Sequence, residues 1–144
     1  MTLTVQLKGV DAVSLRTKAL IKAAQQGLKF GVSEAGQILE DEAKTLVPVD
    51  TGHLRDSIHQ ELVESTETRQ VIKVTPAYDE PNPWGFEPAY ARRIEYGFVG
   101  SDSLGRHYHQ AAQPYMRPAF DTKQDEARDA IKNGIYDELD AVTR

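Results

Sequence analysis

The sequence has no cysteine, which removes disulfides, thiolate metal sites and cysteine nucleophiles from consideration. That absence fits folding in a reducing cytoplasm. No run approaches the roughly 18 consecutive apolar residues that a membrane span needs, and mean hydropathy is −0.52. The first ten residues alternate Leu3, Val5 and Leu7 with polar side chains; without a basic leader or an apolar block they do not read as a signal peptide. A phosphate-cradling loop is missing as well. Gly97, Gly100 and Gly105 lack the lysine and the flanking strand–helix pattern that such a loop requires.

What is present is ordinary globular material: 144 residues, 40% hydrophobic and 27% charged, enough for one domain over 1–144 with a modest core. Net charge is −5 and unevenly spread. Residues 1–30 hold five basic groups and one acid, whereas residues 31–80 hold four basic groups and eleven acids. Gripping nucleic acid takes a basic stripe that displaces counterions from phosphates. Arg16, Lys18, Lys22 and Lys29 are the one candidate stripe, and a solvated helix face is the preferred reading of it.

Alternation of Leu3, Val5 and Leu7 predicts a strand over Thr2–Lys8. From about residue 12 to Leu46, an apolar stripe in steps of three and four predicts a long helix, rich in Ala and Gly. Gly27, Gly31 and Gly36 mark places where it could bend or break, and its small side chains permit close approach of a sheet or a neighbouring subunit. Pro48 ends that helix. Asp50 or Thr51 is expected to cap a short helical turn through residues 53–58. Residues 60–64 and 69–75 predict a β-hairpin around Ser65–Thr68. Residues 76–88 form a loop with four prolines, Trp84 and Phe86, and Ala89–Tyr96 predicts a short helix. Residues 97–113 are too irregular to assign, and a last helix is expected over about Ala119–Val142. The fold class is α+β: two long helices packed on a small, mostly antiparallel sheet, with long loops. Loops of that length are commonly functional, making residues 76–88 and 97–113 candidate contact surfaces.

Three blocks stand out. The first runs from Ala43 to Ile58 and holds Pro48, Asp50, Thr51, Gly52, Leu54, Ser57 and Ile58; the second holds Tyr90, Ala91, Glu95 and Gly97; the third holds Pro114, Pro118 and Ala119. Their order and spacing resemble the small neck and tail-completion (head–tail joining) proteins of long-tailed bacteriophages and prophages. There a helix ends in Pro-Val-Asp-Thr-Gly-x-Leu-x-x-Ser-Ile, a Tyr-Ala-x-x-x-Glu-x-Gly segment follows, and Pro-x-x-x-Pro-Ala opens the last helix. The blocks cover about a quarter of the chain. The resemblance implies a structural virion protein, not an enzyme, with no cofactor. It implies a ring of six or twelve copies at the neck or upper tail, assembled in the host cytoplasm. Its partners would be further copies of itself, portal-side adaptor or stopper proteins, and tail-terminator or tail-tube proteins. DNA would pass through the lumen without sequence-specific binding, past the acidic residues of 31–80, and no membrane would be involved. The Trp84 loop and the histidine-bearing stretch are longer than the family's usual connections.

The residues themselves assign structural jobs to these blocks. Leu54 and Ile58 are four apart and can face a core together. Tyr90, Ile94 and Gly97 fit a helix with one apolar face and a glycine end. Glu95 reads as a surface ion-pair partner of Arg92 or Arg93. Candidate interface residues are Trp84, Phe86, Phe98, His107, Tyr108, His109 and Tyr115, because aromatic side chains beside loops are what interfaces favour; packing in the small core is the equal alternative for the aromatic ones.

Enzymatic readings are weaker. Asp50-Thr51-Gly52 matches the aspartic-protease tripeptide, but that site needs flanking strands in a nearly all-β domain. His107 and His109 would share one face of a strand, a two-ligand metal edge, yet only Asp102 or Asp121 is near in sequence as a third ligand. Ser57 has no base at motif spacing, and Asp79-Glu80 reads as a solvated loop pair. No catalytic, cofactor or metal residue is assigned. The alternatives are a DNA-binding accessory protein using the basic first helix and, more remotely, the protease.

Overall fold

The computed structural model describes residues 10–77 and 89–144. The strand expected over Thr2–Lys8 and the loop carrying Trp84 and Phe86 lie outside these residues. Helix α1 (Val10–Leu46) is followed by α2 (His53–Ser57), β1 (Ile58–Ser65) and β2 (Gln70–Pro76). Then come α3 (Ala89–Tyr96), β3 (Phe98–Ser101), β4 (His107–Gln110) and α4 (Met116–Thr143).

Helix α1 is unbroken over 37 residues, about 55 Å at 1.5 Å per residue. Its glycines do not break it; they let α4 lie against it, backbone on backbone. A Cβ on Gly31 would sit 2.6 Å from Ile131 Cα, and one on Gly134 would sit 2.8 Å from Gly27 O. The contacts pair rising α1 numbers with falling α4 numbers, so the helices are antiparallel. At Gly36 the same side-chain economy admits the first hairpin, since a Cβ there would meet Gln60 Oε1 at 2.5 Å and Ile72 Cγ2 at 3.0 Å.

Strands β1 and β2 pair antiparallel from Ile58↔Pro76 to Ser65↔Gln70, with an irregularity between Leu62 and Glu64 that leaves Val63 as the extra residue. Strands β3 and β4 form a second antiparallel pair, Phe98↔Gln110 to Ser101↔His107. The expected single small sheet is thus two separate two-stranded hairpins. The stretch 97–113, irregular in sequence, contains the second. Its strands are only four residues each, too short to show a period.

Glu40 ties β1 to α1. It is 8% exposed; its Oε2 accepts from the Gln60 backbone N–H at 2.9 Å and its Oε1 from Lys44 Nζ at 2.6 Å. The core lies where the end of α1, α2, the start of β1, α3 and the start of α4 meet. Ala43, Val47, Ile58, Ile94, Tyr115 and Ala119 form it, with Leu54, Val74, Tyr90 and Met116 packed around.

Candidate functional site

All six buried members of that core come from the three sequence blocks. The blocks are far apart in sequence and form one junction in space. In the first, Val47 N–H closes the last turn on Ala43 O at 3.0 Å, and Pro48 stops α1. Gly52 sits at φ 84°, ψ −12°, directly before α2. It is the N-cap residue, and no side chain caps the helix. The expected cap from Asp50 or Thr51 is therefore replaced by a glycine whose left-handed backbone reverses the chain. Asp50 and Thr51 are exposed. Gly52 O accepts from Asp56 N–H at 2.9 Å, and Ser57 Oγ donates to Leu54 O at 2.8 Å. The turn delivers Ile58, fully buried, to the core.

Glu95 joins the second block to the third. It is not a surface ion pair with Arg92 or Arg93: it is 7% exposed, and its carboxylate points at the start of α4. Oε2 accepts from Tyr115 N–H at 2.8 Å and Met116 N–H at 3.0 Å; Oε1 accepts from Arg117 N–H at 3.2 Å. A helix start leaves four N–H groups without intrahelical partners. Here three of the four go to Glu95, and the fourth position is Pro118, which has no N–H. Ala119 N–H then donates to Tyr115 O at 3.1 Å, and the helix proceeds. A carboxylate also complements the positive end of the α4 dipole.

Gly97 ends α3 with φ 76°, and a Cβ there would stand 2.8 Å from Gln110 O. Only glycine suits both the conformation and the space. The chain returning from β4 then donates from Gln113 N–H to Ile94 O at 2.7 Å. Tyr115, a candidate interface residue, is instead a core residue, 1% exposed; its N–H is held by Glu95 and it packs in the same cluster as Ile58.

The β3–β4 hairpin carries the remaining interface candidates. Phe98 is half-buried, its ring folded over Gly100 and under the Arg93 guanidinium, 4.5 Å from the centroid. Tyr108 lies opposite Gly100 and is exposed. His107 and His109 are exposed and pair with Ser101 and Val99 on the other face. His107 Nδ1 is 2.7 Å from Ser101 Oγ. Among the described residues no group of three or more His, Asp or Glu is placed to hold a metal ion.

Asp102, weighed in the sequence only as a third metal ligand, instead shapes the hairpin tip. Its Oδ1 accepts from Leu104 and Arg106 N–H at 2.9 Å each, and its Oδ2 from Arg106 Nε at 2.6 Å and Tyr108 Oη–H at 3.0 Å. These bonds, led by the one from the Arg106 backbone, hold its carboxyl below the ordinary 3.8, with desolvation opposing. With both oxygens engaged, Asp102 does not orient His107, so Ser101 and His107 fasten two strands without forming a catalytic triad. An Asp three residues before a Gly was the available turn signal.

Between α3, β3 and the start of α4 lies an open hollow of about 720 Å³, lined by Arg92, Arg93, Tyr96, Phe98 and Met116 among others. Tyr96, Val99 and Leu104, close to it in sequence, are each about three-quarters exposed. The described residues thus define a scaffold whose signature side chains hold helices and turns together.

The chain belongs to the HK97-gp10-like family, described as "Bacteriophage HK97-gp10, putative tail-component", whose model matches residues 14–97. No curated protein and no solved structure matches it. The family is a structural one of the phage tail, in keeping with the resemblance drawn from the three blocks. The matched span holds the first two blocks, including Gly52, Glu95 and Gly97. No helix among the described residues is long and apolar enough to cross a membrane.

Proposed function

We propose that this tail component is a ring-forming subunit at the head–tail junction, joining portal-side adaptor or stopper proteins to the tail terminator or tube. The observation that carries the reading is the β3–β4 hairpin. Among the described residues neither of its outer edges is paired, and it presents Val99 and Leu104 at 75% and 76% exposure beside Tyr96 at 75%. Unpaired edges and clustered apolar side chains are characteristic of surfaces that another chain covers. The Asp102 network keeps the tip ordered before any partner arrives, which lowers the entropy cost of docking.

In such a ring DNA passes along the axis without sequence-specific contacts. The exposed carboxylates Glu61 and Glu67 of the β1–β2 hairpin suit a lumen that repels phosphate and lets DNA slide. The protein would reside in the virion neck after assembly in the host cytoplasm. Mass by light scattering, with negative-stain images of the same peak, tests the reading. Closed rings support it. A monomer that also fails to enter virions in a complementation assay refutes it.

A further inference from the structure

Most cations among the described residues are neutralised locally: Lys44 by Glu40, Arg106 by Asp102, Arg128 by Asp125. The first half of α1 departs from this along a whole face. Lys18, Lys22 and Lys29 are exposed, step by four and seven along one face, and have no ion-pair partner among the described residues. In the second half, Glu34 and Asp41 are exposed, seven residues apart, and have no cationic partner among the described residues; the Asp41 carboxylate accepts from the Gln37 amide at 2.9 Å.

The two stripes match. Lys22 and Lys29 are separated by two helical turns, as are Glu34 and Asp41, about 10.5 Å in each case. Each acid lies twelve residues after its lysine, so the acidic stripe is turned about 120° around the axis from the basic one at about 100° per residue. One copy can therefore use its basic stripe on one neighbour while offering its acidic stripe to another. That is a heterologous contact, which generates a ring when the rotation closes.

We propose that the basic stripe Lys18, Lys22 and Lys29 of α1 docks against the Glu34 and Asp41 stripe on α1 of a second copy of this chain. The proposal rests on the ring reading and assigns the surfaces that make the ring. Charge complementarity favours a second copy over DNA, because phosphates would be served by the lysines alone and give no role to the exposed acids Glu34 and Asp41 on the same helix.

Charge reversal tests it. One variant carries Lys18→Glu, Lys22→Glu and Lys29→Glu; the other carries Glu34→Lys and Asp41→Lys. All five positions are exposed, and far-UV circular dichroism checks that each variant folds. Masses come from sedimentation velocity. The wild type is expected to associate, and more weakly as salt rises. Each reversed variant alone should associate about 100-fold more weakly or less, because both its stripes then carry one sign. An equimolar mixture of the two should recover wild-type mass, since every contact between unlike variants is again opposite in charge.

Three results overturn the proposal. A wild type that assembles and is untouched by either reversal keeps the ring but places its contacts elsewhere. A wild type that stays monomeric at low salt ends self-docking by these stripes, while entry into virions still decides the ring reading. A duplex-DNA mobility shift, abolished by the lysine reversals and not restored by mixing, assigns the basic stripe to nucleic acid.

Discussion

Replacing Glu95 with Gln and with Ala probes the junction most directly. The carboxylate receives three backbone N–H bonds at 2.8, 3.0 and 3.2 Å while 7% exposed. Hydrogen bonds to charged groups contribute about 1.5–3 kcal/mol each before desolvation of the acid is offset. Glutamine keeps one oxygen, enough for Tyr115 and Met116, but turns its NH₂ toward the Arg117 N–H. It also removes the anion from the helix end, an effect of about 0.3–1 kcal/mol and up to about 2 when partly buried. Being neutral, the amide is cheaper to bury, so the net loss for Glu95→Gln is about 1–2 kcal/mol. Glu95→Ala leaves the buried Tyr115 N–H unsatisfied and should cost about 2–4 kcal/mol. At about 3–4 °C per kcal/mol for a chain of this size, Tm falls by roughly 3–8 °C for Gln and by up to roughly 15 °C for Ala. Urea unfolding followed by circular dichroism gives the free energies, with exposed Glu61→Gln as the control. Amide exchange at Tyr115 and Met116 should accelerate in both variants. If both stay within about 0.5 kcal/mol of wild type, as surface changes usually do, the capping account is wrong.

In an ordinary helix Gly31→Ala would stabilise by about 1 kcal/mol; here the new Cβ lies 2.6 Å from Ile131 Cα, so overpacking should reverse the sign and cost about 1–3 kcal/mol, read in urea, and a stabilised variant would sink the close-packed seam. Gly97→Ala and Gly105→Ala separate two effects, because both glycines have φ 76° but only Gly97 has a neighbour within reach, Gln110 O at 2.8 Å. Gly105→Ala should cost about 1–2 kcal/mol from backbone conformation alone and Gly97→Ala clearly more; equal losses in thermal unfolding would contradict the contact. The Asp102 carboxyl is held below 3.8 in the folded chain, so its support of the hairpin tip is complete above that value and lost as pH falls through the lowered one. The Leu104 and Arg106 amide resonances should titrate together with a midpoint below 3.8 and stop doing so in Asp102→Asn; a midpoint at or above 3.8 would falsify the assignment.

Local signals in the sequence located most elements. The three-and-four stripe marked α1, the polar Ser65–Thr68 stretch marked the first hairpin, and Tyr90, Ile94 and Gly97 marked α3 with both its ends. What stayed hidden depends on contacts between distant segments. Gly27 and Gly31 look like helix weaknesses until Gly134, more than 100 residues later, supplies a matching gap. Phe98 shields Gly100 only once β3 exists, and four-residue strands announce themselves to no periodic pattern. Tyr115 gave no local sign of burial because most of its fellow core residues, Ala43, Val47, Ile58 and Ile94, come from the other two blocks.

Glu95 shows why composition alone misleads at such a site. A glutamate two residues after Arg93 on a short helix has every local reason to be a solvated ion-pair partner. Its role emerges from counting the backbone donors at the start of α4, where Tyr115, Met116 and Arg117 need an acceptor and Pro118 does not. The Tyr-Ala-x-x-x-Glu-x-Gly and Pro-x-x-x-Pro-Ala patterns then become two halves of one device. Glu95 starts the last helix, Gly97 turns the chain out into the exposed hairpin, and Pro118 occupies the first-turn position that needs no donor. The hairpin therefore springs from a point fixed on both sides, by the Glu95 cap and by the Gly97 turn. A docking element mounted there, which the proposed joining role calls for, would be anchored through Glu95 to the start of α4.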